Sequence, residues 1–220
     1  MAKRILLLGA TGRTGCLALE YALEQGLEVT ALVRRPAAIT VQSDRLTVIG
    51  GSPLNAVDVR QALAGCDAVV SALNNNRTSD NPWAKRLSPS QFMTNSIRAC
   101  LAAMQEQEVR RIVVLSSVGV NDSFADAAFF MRWLIRNTNL RYTFQDHDAQ
   151  ESELRRSGMD WTAVRAALLN NSRQPKALVT SYYNEPKPAL TISRLHTARY
   201  LIDCLNDSTT FRKAPTISER

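Results

Sequence analysis

Ile5-Leu-Leu-Leu8 is an unbroken apolar run that ends abruptly in Gly9-Ala-Thr-Gly-Arg-Thr-Gly15. A strand that is apolar at every position has both faces covered, as in a parallel sheet flanked by helices. After the glycines, Cys16, Leu19 and Leu23 recur at helical spacing, and Gln25-Gly26 offers a left-handed cap to end that helix. Each glycine has a separate task in such a unit. Gly9 permits a sharp turn, Gly12 lets an anionic ligand approach the backbone, and Gly15 lets helix and strand pack closely. Thr11, Arg13 and Thr14 stand between them, at a helix N-terminus whose free N–H groups and partial positive charge favour phosphate.

The spacing is G-x-x-G-x-x-G rather than the commoner G-x-G-x-x-G, and a plain strand-to-helix turn is the bland alternative. The position between a fitting strand and a fitting helix decides for a dinucleotide. Glu28 to Val33 reads as the second strand, with Arg34-Arg35-Pro36 at its end. Units that take NAD usually carry an acidic residue here for the ribose 2′-hydroxyl. None is present, because Glu28 sits at the opposite end of the strand. An arginine pair can hold a 2′-phosphate instead, so NADP(H) is the expected cofactor, with Arg34 or Arg35 as its ligand.

Further along, Leu46-Thr-Val-Ile49, Asp67-Ala-Val-Val-Ser71, Arg111 to Ser117 and Asp160 to Arg165 read as strands three to six. Asn55 to Ala64 is a short helix with Val59, Ala62 and Leu63 inward, closed by Gly65. The exit from the fourth strand, Ala72 to Arg77, should run beside the cofactor where strand order reverses, with Leu73 and Asn74 nearest. Thr78 to Leu87 is polar, contains proline and suits a flap over that crevice. Ser88-Pro-Ser-Gln91 looks like a capped helix start, followed by core positions Met93, Ile97, Cys100, Leu101 and Met104. Asn121 to Asn137, with Phe124, Phe129, Phe130, Met131, Trp133 and Leu134, is too apolar all round for a plain surface helix; it could cover the site, join an oligomer or be buried. Tyr142 to Gly158 is a further helix. Short strands around Leu178-Val179 and Leu190-Thr-Ile192, then a helix from Leu195 to Leu205, complete the pattern.

A chain of 220 residues suits a single domain, 1–220, and no apolar stretch is long enough for a membrane span. Cys16, Cys66, Cys100 and Cys204 lie far apart, without spacing for a metal, which fits core thiols in a reducing cytoplasm. The net charge of +7 suits an anionic ligand. The bases are dispersed (Arg110-Arg111, Arg132, Arg136, Arg141, Arg155-Arg156 and Arg212-Lys213), which points to solvated helix faces. They make no stripe interleaved with aromatics, so nucleic acid is not an expected partner.

The glycine turn resembles that of the extended and atypical short-chain dehydrogenases/reductases, particularly the NmrA-like and flavin-reductase (biliverdin-reductase-B-like) branch. Leu115-Ser-Ser-Val118, Glu151-x-x-Leu154-x-x-Ser157-Gly158-x-x-Trp161-Thr162-x-x-Arg165 and Ile192-Ser-Arg194 continue the resemblance to about Leu205. It implies a Rossmann-type α/β fold, a doubly wound parallel sheet, with a small C-terminal substrate-side lobe from about residue 166. It also implies that Ser116 lies near the nicotinamide and that Ser117 holds the substrate or the nicotinamide amide. Relatives commonly have Gly-Asp after the third strand; here Ser52 stands at that place by the adenine. The family's Tyr-x-x-x-Lys appears only as Tyr183 to Lys187, beyond the sixth strand and interrupted by Pro186, which reads as coincidence. Where several relatives place a lysine, the nearest candidate is His147, a hydrogen-bond donor to ribose or a proton-transfer group. The usual Arg-Pro after the sixth strand is Arg165-Ala166. The activity so implied is NADPH-dependent hydride transfer to a small conjugated acceptor such as a flavin, quinone or tetrapyrrole. The alternative is an NADP(H)-responsive regulatory or interaction protein.

Overall fold

A computed structural model describes residues 2–125, 127, 129–174 and 176–220. Six strands run parallel in the order β3 (Leu46–Gly50), β2 (Glu28–Val33), β1 (Arg4–Leu8), β4 (Ala68–Ser71), β5 (Arg111–Ser117) and β6 (Asp160–Ala166). The order reverses between β1 and β4, so the doubly wound frame has its switch point at the end of β1.

Strand alternation explains why the apolar runs are continuous. Ile5 and Leu7 belong to one core layer with Val29, Ala31, Val113 and Val164. That layer packs under α1 (Gly15–Glu24) and α6 (Arg194–Asp203). Leu6 and Leu8 face the other layer, under α2 (Ala56–Leu63), α3 (Phe92–Glu106) and α5 (Leu140–Arg156). The buried face of α1 is Gly15, Ala18, Leu19 and Ala22, while Cys16 and Leu23 are only partly buried. Small residues on that face let α1 and α6 lie against each other.

The start of α3 departs from the expected local signals. Ser88-Pro-Ser-Gln91 does not cap it: the helix begins at Phe92, preceded by Gln91 at φ +54° with no side-chain cap. The cap comes from α5. Asp146, buried, accepts hydrogen bonds from the backbone N–H groups of Met93 and Thr94, each at 3.0 Å, and from Thr94 Oγ1 at 2.6 Å. A carboxylate at the positive end of the helix replaces the local cap at long range.

The expected helix Asn121–Asn137 divides into a short 3₁₀ turn, Asn121–Phe124, and α4 (Phe129–Asn137); residues 126 and 128 within it lie outside the described residues. Of α4 only Ile135 is buried, and Phe129, Phe130 and Trp133 face outward.

From residue 166 onward the chain contributes to two sheets. β7 (Leu168–Asn170) and β9 (Thr191–Ser193) pair with each other. β8 (Leu178–Ser181) joins the main sheet through β10 (Thr216–Glu219), a strand the sequence pattern did not announce. β10 runs parallel to β6 and antiparallel to β8. Tyr183, in the Tyr-x-x-x-Lys match, is in a turn beyond β8 and 91% exposed, so it takes no part in the crevice.

Arg111 is also a correction to the picture of solvated bases. It is buried, and its guanidinium donates to the carbonyls of Leu205 at 3.1 Å and Asp160 at 2.7 Å. Burial pushes its pKa down to about 10.

Candidate functional site

The site grows from the turn after β1. Gly9 has φ +82°, and a Cβ there would meet the Ala72 backbone at 2.9 Å. A Cβ on Gly15 would lie 2.0 Å from the Gly9 carbonyl oxygen, so strand and helix meet too closely for any side chain. Gly12 N–H closes the turn on the same Gly9 oxygen at 2.8 Å, and its own Cβ position is otherwise open. Cys16 N–H bonds to Gly12 O, which leaves the N–H groups of Arg13 and Thr14 without an acceptor among the described residues. Free donors at the start of a helix make a seat for an anion.

This turn forms one wall of a crevice of about 410 Å³ at the carboxyl ends of β1, β2, β4 and β5. Gly9, Thr11, Gly12, Arg13 and Thr14 line it, as do Leu73 and Asn74 from the exit of β4. At the far end Arg34 stands beside Leu32, Val33 and Pro53, with no carboxylate among the lining residues there. Arg35 does not reach the crevice; it opens a 3₁₀ turn over Pro36–Ala38. Gly15 is buried beneath the turn and shapes it without lining it.

Other expected contacts fall elsewhere, each for a structural reason. Ser52 is held on α2 by its N–H, which donates to Asp58 Oδ2 at 2.7 Å, and Pro53 lines the crevice in its place. On β5, alternation points Ser116 with Val114 toward α5, away from the crevice. Its hydroxyl donates to Glu151 Oε1 at 2.7 Å. Leu115 lines the crevice instead. Ser117 lies one step past the lining, half-buried, and its hydroxyl donates to the Val118 carbonyl at 3.1 Å.

Glu151 is fully buried and bonds Arg165 through both oxygens, at 3.0 and 2.7 Å. Burial opposes the Arg165 charge, but its bonds to Glu151 and Asp122 prevail and hold its pKa above the usual value. This pair with Ser116 joins α5 to β5 and β6 as a structural staple.

His147 is 2% exposed on the same face of α5, and its Nδ1 has no hydrogen-bond partner among the described residues. Burial pushes its pKa down to about 4, with Glu151 and Asp146 opposing. A neutral ring that does not line the crevice cannot serve there as a proton donor.

The opposite wall was only partly legible in the sequence. Arg77 ends the exit from β4, and Ser79 and Asp80 come from the flap expected over Thr78 to Leu87; Phe92, Thr143, Leu169 and Arg194, which were not expected there, come from α3, α5, β7 and α6. Arg13 donates to Asp80 through both terminal nitrogens, at 2.8 and 2.7 Å. Asn75, in the same wall, donates from Nδ2 to Asp146 at 3.0 Å, which ties the β4 exit to the cap of α3. The Ile192-Ser-Arg194 motif was the one signal for Arg194; nothing local marked Asp80.

A family model described as NAD(P)H-binding matches residues 9–208. A short-chain dehydrogenase/reductase from Veillonella parvula DSM 2008, solved in complex with NADP, is 20% identical, with a TM-score of 0.78. The match covers 100% of this chain and 95% of that one. ChuY, described as an anaerobilin reductase from Escherichia coli O157:H7, is 17% identical with a TM-score of 0.77, over 98% of this chain and 97% of that one. At these identities the solved structures speak for the fold. The family model spans the glycine turn, the crevice walls and α6, so the chain belongs to the NAD(P)H-binding family, on a Rossmann-type frame similar to that of the solved short-chain dehydrogenase/reductase.

Proposed function

We propose that the protein is an NADPH-dependent reductase that passes hydride to a small conjugated acceptor such as a flavin, quinone or tetrapyrrole. The carrying observation is the kind of side chain in the crevice. Among the described residues its lining holds arginines and Asp80 but no tyrosine, lysine, histidine or cysteine. Bound NADPH supplies the hydride, and the chain supplies binding, orientation and a partly dry surface. An acceptor that draws its proton from water needs no acid from the protein, whereas a simple ketone needs one. Leu73, Phe92, Leu115 and Leu169 give the acceptor an apolar wall, with the hydroxyl of Thr143 as its polar contact. Reduction is also the activity for which the anaerobilin reductase of like fold is named.

Arg34 supports NADPH over NADH, since it ends β2 where a carboxylate would otherwise hold the ribose. Burial of Cys66, Cys100 and Cys204 as free thiols suits a reducing cytoplasm. The test is NADPH consumption with a panel of flavins, quinones and tetrapyrroles, followed at 340 nm on the order of minutes. Turnover with at least one class, at a rate free of an inflection near the usual histidine range, is expected. NADPH binding without turnover on every acceptor would favour an NADP(H)-responsive interaction protein, a reading to which the outward Phe129, Phe130 and Trp133 of α4 lend support.

A further inference from the structure

Arg13 projects from the glycine turn, and its bidentate partner Asp80 comes from the flap, so the fork spans the mouth of the crevice. Arg77 and Arg194 also line this region, and the charges of all three arginines act on Asp80. The Arg13 hydrogen bond chiefly holds the Asp80 pKa below the usual carboxylate range, with Arg194 and Arg77 adding to it. Arg77 and Arg194 are each pushed down, first by burial and also by repulsion from Arg13. Three cations thus gather around a single carboxylate, beside backbone N–H groups of Arg13 and Thr14 that have no acceptor among the described residues.

We propose that Asp80 is a resident anion in the phosphate seat, and that the cofactor's pyrophosphate displaces it from Arg13. The proposal rests on the dinucleotide lying along the glycine turn. A phosphate on the Arg13 and Thr14 amides lies beside the Asp80 carboxylate, and two like charges in one crevice repel. The guanidinium fork fits phosphate as well as carboxylate, so it can pass from one to the other. The latch is weak enough to open: its partners are 58% and 73% exposed, and exposed pairs of this kind are readily broken. Cofactor entry therefore unfastens Thr78 to Leu87 from the glycine turn, while Asn139 still holds the flap through the Trp83 carbonyl at 2.8 Å. The flap becomes free at its cofactor side and anchored at its α5 side.

The test is a double-mutant cycle in NADP⁺ affinity by calorimetry, using the full chain, Asp80→Asn, Arg13→Gln and the double variant. Asp80→Asn removes the charge and keeps the shape, so it should bind NADP⁺ about two- to fivefold more tightly, the cost of opening one exposed pair. Arg13→Gln should bind more weakly. In the Arg13→Gln background, Asp80→Asn should bring a smaller gain, because only the direct repulsion between carboxylate and phosphate is relieved and no latch remains to be released. Unchanged or weaker binding in Asp80→Asn, or a gain that is undiminished without Arg13, overturns the latch alone. Absence of NADP⁺ binding by all four folded proteins overturns the cofactor placement and the latch together.

Discussion

Acid should draw stability from this protein through His147. The ring is fully enclosed between α5 and the core, and burial holds its pKa at about 4 against an ordinary value of 6.5. The sign follows from which state takes up the proton first. As pH falls through 6.5, the unfolded chain protonates His147 while the folded chain leaves it neutral, so stability declines. The decline continues to about pH 4, where the folded form begins to protonate as well. At roughly 1.4 kcal/mol per pH unit, moving from pH 7.5 to 4.5 removes on the order of 2–3 kcal/mol through this one residue. The measurement is urea unfolding at both pH values for the unmodified protein and for His147→Phe. Both proteins share every other titration, including the raised pKa values of Asp148 and Asp203, so the difference between them isolates the imidazole. The pH-dependent loss should be smaller in His147→Phe by about that amount. Equal losses in the two proteins, or an NMR titration of His147 near 6.5, would refute the reasoning.

Arg34→Ala should weaken NADPH binding by about ten- to a hundredfold, the worth of a charge-assisted hydrogen bond, and leave NADH nearly unaffected. Arg35→Ala should change neither, because that side chain does not line the crevice; fluorescence titration of both cofactors against both variants tests the pair. Gly15→Ala should prevent the native turn from forming, since its Cβ would stand 2.0 Å from a backbone oxygen, and thermal unfolding with and without NADPH reads the loss. Arg165→Met takes both short ion-pair bonds from the buried Glu151, leaving it only the half-exposed Arg155 at 3.8 Å, and should cost about 3–5 kcal/mol of stability in denaturant unfolding. If that variant instead keeps its stability and loses turnover, the staple has been misread.

Features that depend on neighbours in sequence were legible, and those that depend on distant partners were not. β2 and β5 have the boundaries their apolar runs suggested, because strands covered on both faces need apolar residues throughout. The glycine turn was readable for the same reason: its three positions each answer a local steric demand. Ser88-Pro-Ser-Gln91 misled because Asp146, more than fifty residues away, supplies the cap. Ser116 was misplaced because family position outweighed strand parity, although the alternation with Val114 was visible in the sequence. Asp80 sits in a flap with no periodicity, and its role exists only opposite Arg13. Thr216-Ile-Ser-Glu219 holds a single apolar residue, so its strand character comes from the two neighbours that flank it.

That strand also governs how the molecule can be assembled as it leaves the ribosome. The glycine turn and β1 emerge early, but β8 finds its place in the main sheet only after the chain has passed through α6 and delivered residues 216–219. Glu219 then receives the N–H and hydroxyl of Ser193, at 3.0 and 2.6 Å, and so secures the residue that caps α6 and precedes Arg194. A nascent chain therefore exposes a nearly finished nucleotide seat while one wall of it is still loose. Stalling synthesis before β10 should yield a chain in which the glycine turn is formed and the α6 wall of the crevice is open.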